Sequence, residues 1–265
     1  MTHPTTEAQM SALCALARDA GRAILEVYRS DFAVTRKDDR SPVTEADTRA
    51  EAIILKGLAD DAIGQGCPVV SEEAFADGHA PDIGDGPFWL VDPLDGTRDF
   101  IDRNDEFTVN IALVEKSGPV LGVVYAPALD ALYWASPLGA FAATGGGEMR
   151  AIACRAQPQG GLVALTSRHH NHPDAIAYLD RLDVARRRGT GSSLKFCLVA
   201  AGEADIYPRF GRTMEWDTGA GHAVLAQAGG HIAKPDGSPF LYGKPGFENG
   251  AFIAHGAFAM PEYPL

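Results

Sequence analysis

The fold of this chain is organised around one stretch, Phe88-Trp89-Leu90-Val91-Asp92-Pro93-Leu94-Asp95-Gly96-Thr97. Its apolar first half predicts a buried strand, which ends abruptly in a turn that carries Asp92 and Asp95. A hydroxyl, that of Thr97, follows two residues later. The end of a buried strand is a rigid place to hold a metal ion. Turn chemistry alone is the alternative explanation for the acids, the proline and the glycine, so a metal site needs partners elsewhere in the chain.

Length and composition indicate a globular protein with a sizeable core. The chain has 265 residues, of which 46% are hydrophobic and 22% charged, enough for one large domain or two sub-domains. No apolar run reaches the roughly 18 residues of a membrane span, and the N-terminal residues lack the basic start and apolar segment of a signal peptide. The scattered cysteines predict free thiols in a reducing cytoplasm, with a disulfide as the open alternative. They are Cys14, Cys67, Cys154 and Cys197.

The net charge of the chain limits the kinds of binding partner that we expect. The net charge is -12 and the pI is about 5.0, so a large polyanion such as nucleic acid is a disfavoured partner. A small anion could still bind where a metal ion inverts the local field. No feature of the sequence defines an oligomeric state.

Three other segments place acids at the ends of predicted elements. Asp47 follows Thr44 at a helix start of the capping-box kind, where its alternative role is to complement the helix dipole. Glu72 and Glu73 end a short predicted strand, with a solvated acidic loop as the alternative. Successive side chains of an extended segment point to opposite sides, so we expect only one of these two to face a metal ion. Asp217 lies in the first turn of a predicted helix.

The remaining pattern predicts an α/β protein in two parts. Apolar residues at three- and four-residue spacing predict a helix over residues 7–29. Alternating apolar segments separated by turns predict an antiparallel meander within residues 107–142. In the second half, predicted strands alternate with helices. The glycine run at residues 145–147 is the expected boundary between an N-terminal sub-domain (residues 1–147) and a smaller C-terminal α/β sub-domain (residues 148–265).

The acids together supply what a hard cation needs, which is several carboxylates and a backbone carbonyl or two. No cluster of His and Cys has the spacing of a zinc site, so Mg²⁺ is the expected ion, with Mn²⁺ as a substitute. Mg²⁺ held by carboxylates usually serves phosphate chemistry, and predicted helix starts at residues 96–97 and 191–193 offer N–H groups to phosphate oxygens. Lys195, Arg168 and His170 are candidates for a second phosphate, with surface charge and helix capping as alternatives.

Four sequence blocks, in this order, resemble the lithium-sensitive, Mg²⁺-dependent phosphatases of the inositol monophosphatase superfamily. The blocks are Asp47, Glu72-Glu73, Asp92-Pro93-Leu94-Asp95-Gly96-Thr97 and Trp216-Asp217-Thr218-Gly219-Ala220. Further segments, among them residues 106–112, 191–197, 207–210 and 242–249, are similar to one branch, the bacterial 3'(2'),5'-bisphosphate nucleotidases of the CysQ type. The likeness runs from about residue 35 nearly to the C-terminus.

The resemblance implies a layered α/β sandwich of two sub-domains with the metal ions between them. It implies hydrolysis of the 3'-phosphate of adenosine 3',5'-bisphosphate to AMP and phosphate, a reaction linked to sulfur assimilation. The implied partner is therefore a small phosphorylated nucleotide in the cytoplasm. Loose association with the cytoplasmic face of the inner membrane is also implied by the family, although nothing in this acidic sequence requires it.

By matched position, the resemblance assigns the metal ligands. Glu72, Asp92 and the carbonyl of Leu94 would hold a first ion. Asp92, Asp95 and Asp217 would hold a second, and the family implies two or three ions in all.

The resemblance also assigns the catalytic and substrate-binding groups. Thr97, paired with Asp47, would orient and deprotonate the attacking water, so that these two residues and Glu72 form the catalytic set. The amides of Gly96 and Thr97 would contact the phosphate. The residues expected at the nucleotide are Ser167, His170, Gly191, Ser193, Lys195 and Asp217.

Two positions qualify the resemblance. Arg98 stands where the inositol phosphatases usually have a small polar residue, which favours a doubly phosphorylated substrate. Gly219 stands where Ala is commoner, and Gly lowers helix propensity by roughly 1 kcal/mol. Two alternatives stay open: an inositol or sugar phosphatase on the same metal site, and a non-catalytic regulator that binds metal or phosphonucleotide.

Overall fold

This computed structural model describes residues 5–36, 42–116, 118–169 and 172–260. The α-helices within these ranges are α1 (Glu7–Tyr28), α2 (Glu45–Leu58), α3 (Asp61–Gly64), α4 (Glu72–Ala76), α5 (Thr97–Ile101), α6 (Pro173–Leu179), α7 (Leu194–Ala200) and α8 (Glu215–Gln227). The strands are β1 (Val34–Arg36), β2 (Pro42–Thr44), β3 (Val69–Ser71), β4 (Phe88–Asp95), β5 (Thr108–Glu115), β6 (Gly118–Ala126), β7 (Ala131–Ser136), β8 (Gly139–Thr144), β9 (Arg150–Ala151), β10 (Leu162–Ser167), β11 (Val184–Thr190), β12 (Ile206–Arg209), β13 (Thr213–Met214), β14 (His231–Ala233), β15 (Glu248–Asn249) and β16 (Phe252–His255). Short 3₁₀ turns lie at Pro127–Leu129 and Pro245–Phe247.

The large sheet has the strand order β3-β4-β5-β6-β7-β8-β9. β3 is parallel to β4, and each later pair is antiparallel, which confirms the predicted meander. Phe88 pairs with Val114 and Asp92 with Asn110, so the meander includes β4. The acidic end of β4 therefore lies beside the start of β5.

The strands β4 and β5 of the large sheet are buried on both faces, which explains their nearly continuous apolar sequences. Successive side chains of a strand point to opposite faces. Trp89 and Val91 pack with α1 and α2, whereas Phe88 and Leu90 pack with α7, α8 and strands of the second sheet. Fully burying a side chain of this size contributes about 1.5–3 kcal/mol, so β4 is anchored in two cores.

The small sheet has the order β11-β10-β12-β16-β14. β10 is parallel to β11 and β12, whereas β16 is antiparallel to β12 and β14. Its inner face packs on α7 and α8, and its outer face packs on α6 through Tyr178 and Leu179. The layers are therefore α1 with α2, the large sheet, α7 with α8, the small sheet, and α6. This arrangement confirms the predicted layered α/β sandwich.

Strand β11 was not evident from the sequence pattern. Its sequence is VARRRGT, and residues 185–189 are all exposed, so it lacks the alternation of apolar and polar residues that indicates a half-buried strand. It forms because β10 offers a parallel partner from Leu162 to Ser167.

Other predictions about the whole chain have mixed outcomes. The N-terminal helix is confirmed, since α1 ends at Tyr28. The cysteines are free thiols, as predicted. The boundary after residue 147 stays a prediction, because α8 packs on β4, β5 and β6 and a single core joins the two parts. Within the described ranges, no helix is both long and apolar enough to cross a membrane.

Candidate active site

A cavity of about 290 Å³ opens where β4 ends. The predicted site residues that line it are Glu72, Asp92, Leu94, Asp95, Gly96, Thr97, Ser167, Gly191, Lys195 and Asp217. Asp47 and Ser193 do not line it and are 2% and 1% exposed. His170 lies outside the described residues. Acids from α4, β4 and α8 thus meet in one cavity.

Residues within the turn after β4 determine its conformation. The pairing of β4 with β5 shifts between Asp92 and Asp95, and Asp92 Oδ1 accepts a hydrogen bond from Leu94 N at 3.0 Å. Gly96 has a φ of 90°, a left-handed conformation that glycine adopts without strain. α5 then begins at Thr97, whose Oγ1 donates to the carbonyl of Leu94 at 3.3 Å. An irregular strand end and one glycine therefore bring these groups to the cavity.

The prediction of an extended conformation for Glu72 and Glu73 is wrong. β3 ends at Ser71, and α4 begins at Glu72. Glu51 of α2 stabilises this helix start, because its Oε1 accepts hydrogen bonds from Ser71 Oγ at 2.5 Å and Ala74 N at 3.1 Å. Glu72 lines the cavity and Glu73 does not. Only one of the two faces the site, as expected, but the reason is that neighbouring helical residues point about 100° apart.

The protein binds one side of the Asp95 carboxylate. Its Oδ2 accepts a hydrogen bond from Ser193 N at 2.6 Å, and Ser193 Oγ lies 2.9 Å from the same oxygen. Asn110 Nδ2 lies 3.4 Å from it. Among the described residues, none donates a hydrogen bond to Oδ1. That second oxygen is therefore available to a ligand in the cavity.

Asp217 is held at the start of α8 in a similar way. Its Oδ2 accepts a hydrogen bond from Met214 N at 2.8 Å. The fully buried carboxylate of Glu215 accepts hydrogen bonds from Gly243 N at 2.8 Å and Lys244 N at 3.0 Å, and it pairs with Lys244 Nζ at 2.6 Å. This clamp explains why the 242–249 segment belongs to the site's sequence pattern although it contributes no cavity-lining side chain.

The carboxylates of the cavity repel one another. Burial raises the pKa of Asp217 well above its usual range, and the charges of Asp95 and Glu72 raise it further. Burial also raises the pKa of Asp95, against the opposing effects of Lys195 and Ser193. Burial lowers the pKa of Lys195 to about 8, which still leaves this lysine mostly protonated at neutral pH. A cation in the cavity would relieve the repulsion between the acids.

The donor atoms suit a hard divalent cation, because Mg²⁺ prefers carboxylate and carbonyl oxygens. In the part of the chain that the structure describes, no three His, Cys, Asp or Glu side chains form a group that could hold an ion by themselves. Mg²⁺ commonly keeps several waters and takes one or two carboxylates together with substrate phosphate, so a closed cage is not required. The division of ligands between a first and a second ion stays a prediction.

Basic side chains also line the cavity: Arg98, His169, Lys195 and Arg209. His169 Nε2 lies 3.1 Å from Asp99 Oδ1, which orients the ring. Arg209 lies near enough to Asp217 to lower its pKa, against the larger effect of burial. The sequence predictions included Arg98 and Lys195 but missed His169 and Arg209. Arg209 belongs to the family-like segment 207–210, which was the available signal, whereas the adjacent histidines 169 and 170 could not be told apart.

Some predicted substrate contacts bond to the protein instead. Gly191 N donates to Glu106 Oε2 at 2.7 Å, and Arg168 pairs with the same carboxylate. Lys195 Nζ donates to the carbonyls of Thr190 at 3.1 Å and Ser192 at 2.6 Å. The roles of Gly191 and Lys195 at the substrate stay predictions.

Asp47 and Thr97 are the pair predicted to activate water, and the structure shows hydrogen bonds of Asp47. Asp47 Oδ2 accepts hydrogen bonds from Thr44 N at 2.8 Å and Thr44 Oγ1 at 2.9 Å, which confirms the capping box. The pairing of Asp47 with Thr97 stays a prediction. Another cavity-lining hydroxyl, Thr213 Oγ1, is buried and has no hydrogen-bond partner within the described residues, so it is a candidate substrate contact that the sequence did not reveal.

Comparison with known proteins extends the likeness over nearly the whole chain. The 3'(2'),5'-bisphosphate nucleotidase CysQ of Salmonella typhimurium is 44% identical over 237 residues, which is 88% of this chain and 93% of the relative. CysQ of Buchnera aphidicola is 40% identical over 250 residues, 92% of each chain. The crystal structure of CysQ from Bacteroides thetaiotaomicron, described as a bacterial member of the inositol monophosphatase family, superposes with a TM-score of 0.76 at 36% identity and covers 95% of this chain and 98% of that one. Residues 6–259 match the model of the inositol monophosphatase family, and the chain therefore belongs to that family.

Proposed function

We propose that this protein is a Mg²⁺-dependent phosphatase that hydrolyses the 3'-phosphate of adenosine 3',5'-bisphosphate to AMP and phosphate. It is thus a 3'(2'),5'-bisphosphate nucleotidase, like the CysQ relatives to which it is 40–44% identical. We place the reaction in the cytoplasm, in the removal of a nucleotide by-product of sulfur assimilation. The proposal requires no contact with a membrane.

The observation that carries the proposal is the mixed charge of one cavity. Acids on α4, β4 and α8 line the same space as Arg98, Lys195 and Arg209. The acids suit metal ions at the phosphate that is cleaved. The basic side chains suit a second phosphate on the same small molecule. A monophosphate would offer these basic side chains no second phosphate.

The metal and the chain have separate tasks in the reaction. Bound Mg²⁺ would lower the pKa of a water molecule and offset charge on the phosphoryl group. Glu72, Asp92 and the carbonyl of Leu94 are the proposed holders of one ion, with Asp95 and Asp217 beside a second. Whether Mn²⁺ replaces Mg²⁺, and whether a third ion binds, belongs to the same proposal.

The groups that follow β4 would act on the water and the phosphate. We assign the water's orientation to Thr97, whose hydroxyl would pass the water proton toward Asp47. The oxygen of that water bonds to phosphorus as the bond from phosphorus to the 3'-oxygen breaks, and solvent protonates the 3'-oxygen. The amides of Gly96 and Thr97 would bind the phosphoryl oxygens.

A substrate panel tests the proposal. The purified protein with Mg²⁺ is offered adenosine 3',5'-bisphosphate, its 5'-phosphosulfate counterpart, inositol 1-phosphate and fructose 1,6-bisphosphate. We expect the highest kcat/KM for adenosine 3',5'-bisphosphate and no turnover in EDTA. Faster release from inositol 1-phosphate would favour the inositol phosphatase alternative, and absence of turnover with every substrate would favour the regulator.

A matched pair of arginine variants tests the second-phosphate subsite. Arg209→Gln should raise KM for adenosine 3',5'-bisphosphate about tenfold, because a charged hydrogen bond is lost. The KM of a monophosphate should change less. Arg212→Gln is the control, since Arg212 pairs with Glu248 on the surface at 2.8 Å and does not line the cavity. Equal changes of KM for adenosine 3',5'-bisphosphate in the two variants would show that Arg209 does not belong to the subsite.

A further inference from the structure

We infer that Ser193 is a positioning residue that fixes the Asp95 carboxylate in its metal-binding orientation, and that Asn110 orients the Ser193 hydroxyl. The inference rests on the metal site of the proposed function and adds a residue pair to it. The role is different from the substrate contact that the family resemblance suggests for Ser193.

The contacts of Ser193 join three elements of the site. Its backbone N donates to Asp95 Oδ2 at 2.6 Å, and its Oγ lies 2.9 Å from the same oxygen. The Oγ also lies 2.8 Å from the carbonyl oxygen of Asp217. One side chain at the start of α7 therefore touches the end of β4 and the first turn of α8, which carry two of the predicted metal ligands.

The burial of Ser193 separates it from the substrate. It is 1% exposed and does not line the cavity, whereas the neighbouring Ser192 does. A hydroxyl behind the wall can act on a bound nucleotide only through another residue. Asp95 and Asp217 are the cavity-lining residues that its hydroxyl contacts, and only that of Asp95 is contacted at the carboxylate.

The hydrogen-bond capacity of the hydroxyl shows how Asn110 contributes. Asn110 Nδ2 donates to Ser193 Oγ at 2.9 Å, which occupies an acceptor position of the hydroxyl. The single hydroxyl proton is then left for Asp95 Oδ2 or the Asp217 carbonyl. The Asn110 amide is 1% exposed, and its orientation is set because Nδ2 faces two oxygen acceptors, Ser193 Oγ and Asp95 Oδ2.

The result is a carboxylate with two distinct sides. Every hydrogen bond that the described residues make to the Asp95 carboxylate falls on Oδ2. Oδ1 is thereby directed away from Ser193 and left for a cation. Groups that orient a metal ligand in this way commonly change metal affinity about 10–100-fold when removed.

The test is metal binding by the full-length protein without substrate, measured from the EPR signal of free Mn²⁺. We expect Ser193→Ala to raise the Mn²⁺ dissociation constant about tenfold. At saturating Mg²⁺, its KM for adenosine 3',5'-bisphosphate should stay within about twofold of the parent value, since the substrate contacts are intact. Ser192→Ala is the matched control, and it should leave the Mn²⁺ dissociation constant unchanged.

A second variant keeps the test decisive if Ser193→Ala does not fold. Asn110→Ala should also weaken Mn²⁺ binding, and in a double-mutant cycle the two substitutions together should cost less than the sum of each alone, because they act through one hydroxyl. Unchanged Mn²⁺ affinity in both single variants overturns the inference, as does a raised KM with unchanged Mn²⁺ affinity, which would make Ser193 a substrate contact. A parent protein that binds no Mn²⁺ would instead overturn the metal site of the proposed function.

Discussion

The carboxylate of Asp95 illustrates how single atoms divide the work of this site. Protein donors surround Oδ2, while Oδ1 receives no hydrogen bond from the described residues. Burial of the charged group raises its pKa, so the ionised form is costly without a cation nearby. Without a metal ion, the carboxylates of the site therefore repel one another, and metal binding relieves that repulsion.

Replacement of Asp95 by Asn should nearly abolish turnover without harming the fold. The donors at Oδ2 require an acceptor there, so the new amide nitrogen would point into the cavity toward the cation. We expect kcat to fall at least about 100-fold, which corresponds to roughly 2.7 kcal/mol in the barrier. In EDTA, the thermal unfolding midpoint should not fall, because a buried charge has been removed. Activity within about tenfold of the parent would contradict the assignment of Asp95 as a ligand.

Gly191 packs so closely against Glu106 and Asp99 that only glycine fits there without a clash. A Cβ at this position would lie 2.5 Å from the carbonyl oxygen of Glu106 and 2.6 Å from Asp99 Oδ2. Gly191→Ala should therefore displace the wall that carries Asp99 and His169, raising KM for the nucleotide and lowering stability by about 1–3 kcal/mol. Steady-state kinetics and urea unfolding measure both effects. Gly189→Ala, in strand β11 just before Gly191 and with open space around its added Cβ, should change neither, and equal behaviour of the two variants would refute this account.

At the scale of elements, α8 connects the site to the large sheet. Gly122 of β6 lets α8 approach closely, since a Cβ there would lie 2.5 Å from the carbonyl oxygen of Ala220. Gly219 has the same effect at β4 and β5, where a Cβ would lie 3.1 Å from Leu90 Cδ1 and 3.2 Å from Ala112 Cβ. This close packing gives a physical reason for glycine at position 219.

Substitution of Gly122 by Ala should move α8 and with it Asp217. The added methyl group meets the backbone of α8, which cannot yield as a side-chain tip can, so we expect destabilisation of about 1–3 kcal/mol. The Mg²⁺ concentration for half-maximal activity should rise. Gly118→Ala is the control within the same strand, because nothing lies within 4 Å of its added Cβ. Wild-type Mg²⁺ dependence in Gly122→Ala would show that α8 does not need this approach.

For the whole molecule, one largely buried imidazole makes stability depend on pH. Burial lowers the pKa of His222 from 6.5 to about 4, and its Nδ1 lies 3.1 Å from Tyr242 Oη. The unfolded chain binds the proton between these two values and the folded chain does not. The contribution of the neutral ring is therefore fully present above about pH 6.5 and is lost as the pH falls toward about 4.

His222→Asn should reduce this pH dependence while keeping a polar partner for Tyr242. We expect the parent to lose up to about 2 kcal/mol more than the variant between about pH 7 and pH 5, as a ceiling because the ring is partly exposed. Urea unfolding in EDTA at several pH values measures the difference without a metal contribution. Parallel curves for the two proteins would show that His222 does not set the dependence.

The sequence by itself determined the local features of this protein. The apolar run of β4, its end in Asp92 and Asp95, the capping box at Asp47 and the meander are all set by residues close in the chain, because side-chain periodicity and turn chemistry act over short range. The family pattern identified the acids in advance. Local rules did not predict β11, whose exposed arginines show no alternation, or the helical start of Glu72, which depends on Glu51 from α2.

Only the tertiary structure decided which of these residues share a cavity and which lie behind it. Ser193 and Gly191 belong to one short segment, yet Gly191 lines the cavity and Ser193 does not, because the packing of α7 between two sheets turns them to different neighbours. The same packing brings His169 and Arg209 to the acids of β4 and α8. Sequence spacing cannot show such encounters, since they depend on how layers stack over distances that no local periodicity encodes.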